Sequence, residues 1–275
     1  MTNTELNQKP SIDSIPVAAP ARTDFFDYLL TVTFAVALLF VFVVFDIAQR
    51  IAFLFGRRAH EIIIFGINYC LRYSLALLGT RIFVNAYPAL ERGKPYIIVS
   101  NHQSLFDIPI LYTLFSSHRP RYIAKQELAR WIPSVSFNLR HGGNAIIDRS
   151  NAKQAIAEIE RVGRFIEHIA SAIVIFPEGT RAKEGTLKRF RYAGLASLLQ
   201  AMPNAVILPV TIDGSWRLVP WRNKPIPRGQ DVHVIVGETV DRENYESLKD
   251  LIHVIESTIA ANLCTLRTKD TERKT

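Results

Sequence analysis

From residue 80 onward, short apolar runs alternate with helical patterns, and this alternation limits the possible fold more than any other feature of the chain. Strands read at 81–85, 96–100, 121–124, 145–148, 172–176, 206–212 and 232–236, and helices at 108–115, 151–169, 191–201 and 245–263. Such alternation predicts an α/β fold, a largely parallel central sheet covered by helices. The clearest helix is 151–169. There Ile156, Ile159, Val162, Phe165 and Ile169 recur at three- and four-residue spacing, and Asn151 with Gln154 supplies a cap. Functional side chains in such a sheet gather at the C-terminal ends of strands.

One strand end carries a specific chemistry. The run Asn101-His102-Gln103-Ser104-Leu105-Phe106-Asp107 follows the apolar strand at 96–100. A neutral imidazole takes a proton from a weak nucleophile when its other ring nitrogen is held as a donor, and a carboxylate does that holding. On one regular helix, residues five apart do not share a face. His102 and Asp107 meet if the histidine lies on the loop and the aspartate on the first turn of the next helix. A purely structural reading of the same residues is a capping box of Ser104 and Asp107.

A second strand end carries Phe176-Pro177-Glu178-Gly179-Thr180-Arg181, followed by Lys183, Lys188, Arg189 and Arg191. Proline and glycine force a turn, and glycine lets backbone approach a ligand. Arginine in such a run suits bidentate phosphate contacts, although a basic loop also serves as a solvated face. Arg149, after Gly142-Gly143-Asn144-Ala145-Ile146-Ile147-Asp148, can join the same anion site or pair with Asp148. Lys125, just past the strand at 121–124, can do likewise or stay a surface lysine.

The net charge of +8 and pI near 9.6 suit an anionic partner. Two distant cysteines, Cys70 and Cys264, argue against a disulfide framework or a cysteine zinc site. The apolar excess lies in residues 25–79. Residues 29–45 hold no charge, close to the shortest length that crosses a bilayer, and a cleaved signal peptide fits them poorly. Residues 62–78 contain Asn68 and Arg72, costly in mid-membrane unless paired, and have a core helix as their alternative reading. Arg50, Arg57 and Arg58 lie between the two runs, on the cytoplasmic side by the positive-inside tendency. A single crossing followed by an interfacial helix, or a monotopic hairpin, then leaves the C-terminal domain cytoplasmic. The chain divides into a polar tail at 1–24, a hydrophobic helical membrane-anchoring region at 25–79, an α/β domain at 80–264 and a polar tail at 265–275.

Together these blocks resemble the glycerolipid acyltransferase family that includes the 1-acylglycerol-3-phosphate (lysophosphatidic acid) acyltransferases. Residues 101–107 match its Asn-His block with the aspartate after four further residues, and Phe-Pro-Glu-Gly-Thr-Arg is matched in full at 176–181. Gly143 to Arg149 resembles a third block, with Ala145 and Ile146 in place of larger residues, and Leu208-Pro209-Val210 a fourth. The resemblance covers roughly residues 75–215. It implies His102 as general base and Asp107 as its partner, with Glu178, Gly179, Thr180, Arg181 and Arg149 around the acceptor's phosphoglycerol, and Lys125 as a further contact. It also implies an acyl donor, acyl-CoA or acyl-carrier protein, and lysophosphatidic acid or a related lyso-lipid as acceptor, in phospholipid biosynthesis at a membrane.

Chemistry agrees with that implication. A thioester is already activated, so positioning and general base catalysis suffice, and no metal or redox cofactor is required. Oxyanion donors are expected among backbone N–H groups near the helix start after residue 104. Alternatives are an acyltransferase for another lyso-lipid, a hydrolase with Ser104 as nucleophile, and a metal-dependent hydrolase using His102, Asp107 and Glu178. Ser104 lacks a Gly-x-Ser-x-Gly elbow. A nucleic-acid binder explains the charge but not the His/Asp block, and the basic residues lack interleaved aromatics.

Overall fold

The computed structural model describes residues 15, 23–85, 87, 89–182, 184–219 and 224–272. Most of the polar tail at 1–24, Lys183 of the basic run and the last three residues lie outside the described residues.

Seven strands form one mixed sheet: β1 (Arg81–Val84), β2 (Tyr96–Ser100), β3 (Arg121–Lys125), β4 (Ala145–Ile147), β5 (Ala172–Ile175), β6 (Val206–Asp213) and β7 (Asp231–Val236), in the order β1-β7-β6-β2-β5-β3-β4. Every pairing is parallel except β6 with β7. A parallel return needs a long crossover, usually a helix, and the described residues between β6 and β7 hold only the 3₁₀ turn Ser215–Leu218. The central strands β2 and β5 are buried at every position, as continuous apolar runs covered on both faces must be. β7, between the edge strand β1 and β6, alternates buried with half-buried residues.

One face of the sheet is covered by α5 (Ala152–His168), α6 (Tyr192–Ala201) and α7 (Leu248–Glu272), where Ile159, Val162, Ile166, Leu195, Leu198, Ile255 and Leu263 meet Ile97, Val99, Ile173 and Ile207. Asn151 caps α5 as expected, its side chain accepting the Gln154 N–H. The opposite face is covered by α3 (Asp107–Leu114) and by part of the N-terminal helices α1 (Phe25–Leu54) and α2 (Arg57–Ser74). Here Ile110, Leu111, Phe115, Phe34 and Ile64 pack on Ile98, Val174, Leu208 and Val234. The short α4 (Val135–His141), which hydrophobic patterning does not mark, lies between β3 and β4 in sequence.

Three differences from the sequence reading bear on function. First, α1 runs past the uncharged stretch to Leu54, because its later polar residues face the domain. Asp46 accepts the Ser134 N–H at 2.7 Å, and Gln49 bonds both Ser134 and, at 3.2 Å, His60. The start of α1 is tied down as well: Asp27 accepts the Arg228 N–H and Thr31 the Ile226 N–H. A stripe of α1 therefore touches the domain along its length, while Val36 and Phe40 stay exposed. Second, α2 is neither simply a core helix nor simply an apolar span. His60, Ile64, Ile67 and Asn68 are buried, Ile62 and Phe65 are exposed, and the Arg72 charge is met by Thr113 Oγ1 at 3.0 Å. Third, α7 continues to Glu272, so much of the stretch read as a polar tail is helical, and Arg267 in it is buried.

Candidate active site

β2 ends at Ser100, and the chain turns at Asn101 to reach α3. Asn101 fixes the turn, its amide donating to Ile212 O and its Oδ1 accepting the Ile212 N–H. His102 then projects from the loop and Asp107 from the first residue of α3, the placement that lets residues five apart meet. His102 Nδ1 lies 2.8 Å from Asp107 Oδ2, and the imidazole stacks on Phe176 with centroids 4.1 Å apart. Asp107 is fully buried and completely held. Its Oδ2 also accepts the N–H groups of Gln103 and Ser104, and its Oδ1 the hydroxyl of Ser215 at 2.6 Å.

The capping reading accounts for only part of this geometry. Asp107 does accept the Ser104 N–H, but α3 has no side-chain cap, and Ser104 Oγ accepts from Phe106 N instead. Ser104 is fully buried in that role, which leaves its hydroxyl no path to a substrate. Of the amides at 102–108, only Leu105 N–H has no bond among the described residues, so it is the one amide of this turn left for another acceptor.

The strand β5 ends one residue before Phe176, where the second block begins. Glu178 turns inward. Its two oxygens accept the N–H groups of His102 at 2.7 Å and Lys188 at 3.0 Å, clamping the His102 loop to the basic loop. Burial pushes its carboxyl up to about 8, against those two N–H donors, which favour the carboxylate. Gly179 has φ +71°, and a Cβ there would stand 2.9 Å from Arg191 Nε, so a side chain at this turn would displace the arginine. Lys188 Nζ donates to Thr180 Oγ1 and to the Arg181 carbonyl, both at 2.9 Å.

Arg149, Thr180, Arg181, Ala182, Glu184, Thr186 and Lys188 line an open cleft of about 580 Å³. The cleft wall is bonded to the His102 loop, since Ala182 N–H donates to the His102 carbonyl at 2.7 Å. Partial burial, and then the neighbouring Arg191 charge, hold the Arg149 guanidinium below its ordinary pKa. Lys125 does not line this cleft. It pairs with Glu127 at 2.6 Å. Among the described residues, no three His, Cys, Asp or Glu side chains are grouped to hold a metal ion.

Sequence reasoning missed Ser215, Gln103 and Asp213 as supports of the dyad. One signal was legible: Asp213-Gly214-Ser215 follows a strand. Gly214 has φ +92°, and a Cβ there would lie 2.2 Å from the Asp231 carbonyl oxygen, so the turn that presents Ser215 requires glycine.

A family model described as Acyltransferase matches residues 81–213, which contain His102, Asp107, Glu178 and the basic cleft. The 1-acyl-sn-glycerol-3-phosphate acyltransferase BAT2, chloroplastic, of Brassica napus is 29% identical over 158 residues, 58% of this chain and 43% of that protein. The 1-acyl-sn-glycerol-3-phosphate acyltransferase of Cocos nucifera is 34% identical over 134 residues, 48% of this chain and 42% of that protein. The chain thus spans less than half the length of these two relatives. The crystal structure of the 1-acyl-sn-glycerophosphate (LPA) acyltransferase PlsC from Thermotoga maritima superposes with a TM-score of 0.68, covering 88% of this chain and 96% of that one at 23% identity, and so shares the fold. The match covers just under half of this chain and encloses the motif blocks, so residues 81–213 are similar to the acyltransferase family.

Proposed function

We propose that this protein transfers a fatty acyl group from a thioester, acyl-CoA or acyl-carrier protein, to the free hydroxyl of 1-acylglycerol-3-phosphate, giving phosphatidic acid. The observation that carries the reading is the His102–Asp107 pair joined through backbone bonds to a cleft lined by Arg149, Arg181 and Lys188. With Nδ1 engaged by Asp107, Nε2 is the ring nitrogen left to take the acceptor's hydroxyl proton. The hydroxyl oxygen attacks the thioester carbonyl carbon, and Leu105 N–H is available to the oxyanion. Collapse of the tetrahedral intermediate breaks the C–S bond. The leaving thiolate takes the proton from His102, which returns the base to its starting state. The cationic cleft suits the acceptor's phosphate.

Membrane attachment belongs to the same reading. α1, and α2 together with the 3₁₀ turn that carries it on to Leu78, are long and apolar enough to cross a membrane. The bonds from Asp27, Thr31, Asp46 and Gln49 to the domain favour the monotopic scheme, with α1 lying along the bilayer face rather than through it. The active site then meets membrane-borne acceptors from the cytoplasmic side. The test is product analysis with purified protein, a panel of lyso-lipid acceptors and both thioester donors. Phosphatidic acid from lysophosphatidic acid is expected as the leading product. Preferred use of a phosphate-free acceptor would overturn the reading.

A further inference from the structure

An enclosed polar chain runs from the catalytic turn to the C-terminal helix. Arg267, on α7, is 5% exposed, and Asp213, at the end of β6, is 9% exposed. The Arg267 guanidinium forks onto Asp213, Nε to Oδ2 at 3.0 Å and Nη2 to Oδ1 at 2.8 Å. Asp213 Oδ1 also accepts from the Gln103 side-chain amide at 3.1 Å. The backbone N–H of Gln103 is in turn one of the donors to Asp107. Ser215 closes the group. Its single hydroxyl proton goes to Asp107 at 2.6 Å, which leaves its 3.4 Å approach to Gln103 Oε1 as a contact only.

Arg267 has a second attachment. Nη2 donates to the Gly185 carbonyl at 2.6 Å. Gly185 lies in the segment between Arg181 and Lys188, whose Ala182 N–H bonds the His102 carbonyl. One buried guanidinium therefore ties together the loop of the base and the loop of the anion cleft.

We propose that Arg267 is a positioning residue that sets the distance between the His102 base and the cationic cleft. The proposal rests on the acyl-transfer reading above. A base and a phosphate grip on separate loops work only if the acceptor hydroxyl arrives within reach of Nε2, and misplacement by about 1 Å can cost about 100-fold in rate. Loops alone do not hold that tolerance, whereas a buried bidentate pair on a long helix does.

Removing Arg267 alone would leave a buried, uncompensated Asp213, which tests folding rather than positioning. The informative variant is the pair Arg267→Met with Asp213→Asn. It removes both charges and keeps an oxygen for the Gln103 amide. Arg242→Met serves as comparator, because Arg242 is a half-buried arginine that bonds the Leu199 and Met202 carbonyls away from the site. The full-length protein in detergent or lipid is assayed by steady-state kinetics and by amide hydrogen exchange. For the paired variant, kcat is expected to fall about 10- to 100-fold with faster exchange over 101–107 and 182–190. Arg242→Met is expected to lower thermal stability while kcat per folded enzyme stays near wild type. A paired variant with kcat within about twofold of wild type overturns the proposal. Unchanged exchange in both loops overturns it as well, whatever the activity. Faster exchange in a protein whose wild type transfers no acyl group would support the positioning role and remove the acyl-transfer reading instead.

Discussion

His102 Nδ1 and Asp107 Oδ2 lie 2.8 Å apart, and every other bond to the Asp107 carboxylate comes from a fixed donor: two backbone amides and the Ser215 hydroxyl. The carboxylate is fully buried, so its orientation is set before any substrate arrives. Such preorganisation is what a general base requires, because the imidazole then has one competent tautomer.

Replacing His102 with Ala is expected to lower acyl transfer by about 10²–10⁴-fold without unfolding the protein. Asp107→Asn should be severely impaired too, through loss of tautomer control. Ser104→Ala, by contrast, should keep most activity, since that hydroxyl only accepts the Phe106 N–H. Initial rates alongside thermal melts check all three. An inactive but folded Ser104→Ala protein would revive the serine-hydrolase reading.

Arg181→Lys keeps the charge but loses the planar fork suited to bidentate phosphate contacts. The expected outcome is a raised KM for the phosphorylated acceptor with little change in KM for the thioester. Varying each substrate separately measures this. An effect confined to the donor would remove Arg181 from the acceptor site.

Glu178 gives the fold a pH dependence of definite sign. Burial raises its carboxyl to about 8 in the folded protein, above its unfolded value near 4.5, so the native state binds the extra proton between those limits. Its contribution to stability is therefore present below about pH 4.5 and is lost as pH rises towards about 8. The melting temperature of wild type relative to Glu178→Gln is expected to decline across that window. A difference that grows with pH would show the amide donors of His102 and Lys188 outweighing burial.

The exposed face of α1 is expected to hold the protein to lipid. Val36 and Phe40 are 63% and 69% exposed and point away from the domain, so replacing both with Asn should leave the fold intact and weaken membrane binding. Flotation with liposomes measures the bound fraction. Undiminished flotation would show that the attachment lies elsewhere.

Much of this protein is determined by sequence alone. Apolar runs alternating with amphipathic helices specify a sheet buried on both faces, and β2 and β5 carry no polar residue until the strand ends. Gly179 and Gly214 mark turns where backbone conformation and crowding admit no side chain. His102, Asp107 and the basic loop were legible because local spacing and strand ends already place them. Tertiary structure decided what depends on distant pairing. Glu178 reads like a cleft residue, yet it bonds two amides 76 and 10 positions away. The polar end of α1 and the Arg267 stretch of α7 look solvated in sequence, and both are drawn inward by partners that no local pattern reveals. The physical reason is shared: a buried polar group is stable only with its partner, and the partner is chosen by the fold rather than by the neighbouring residues.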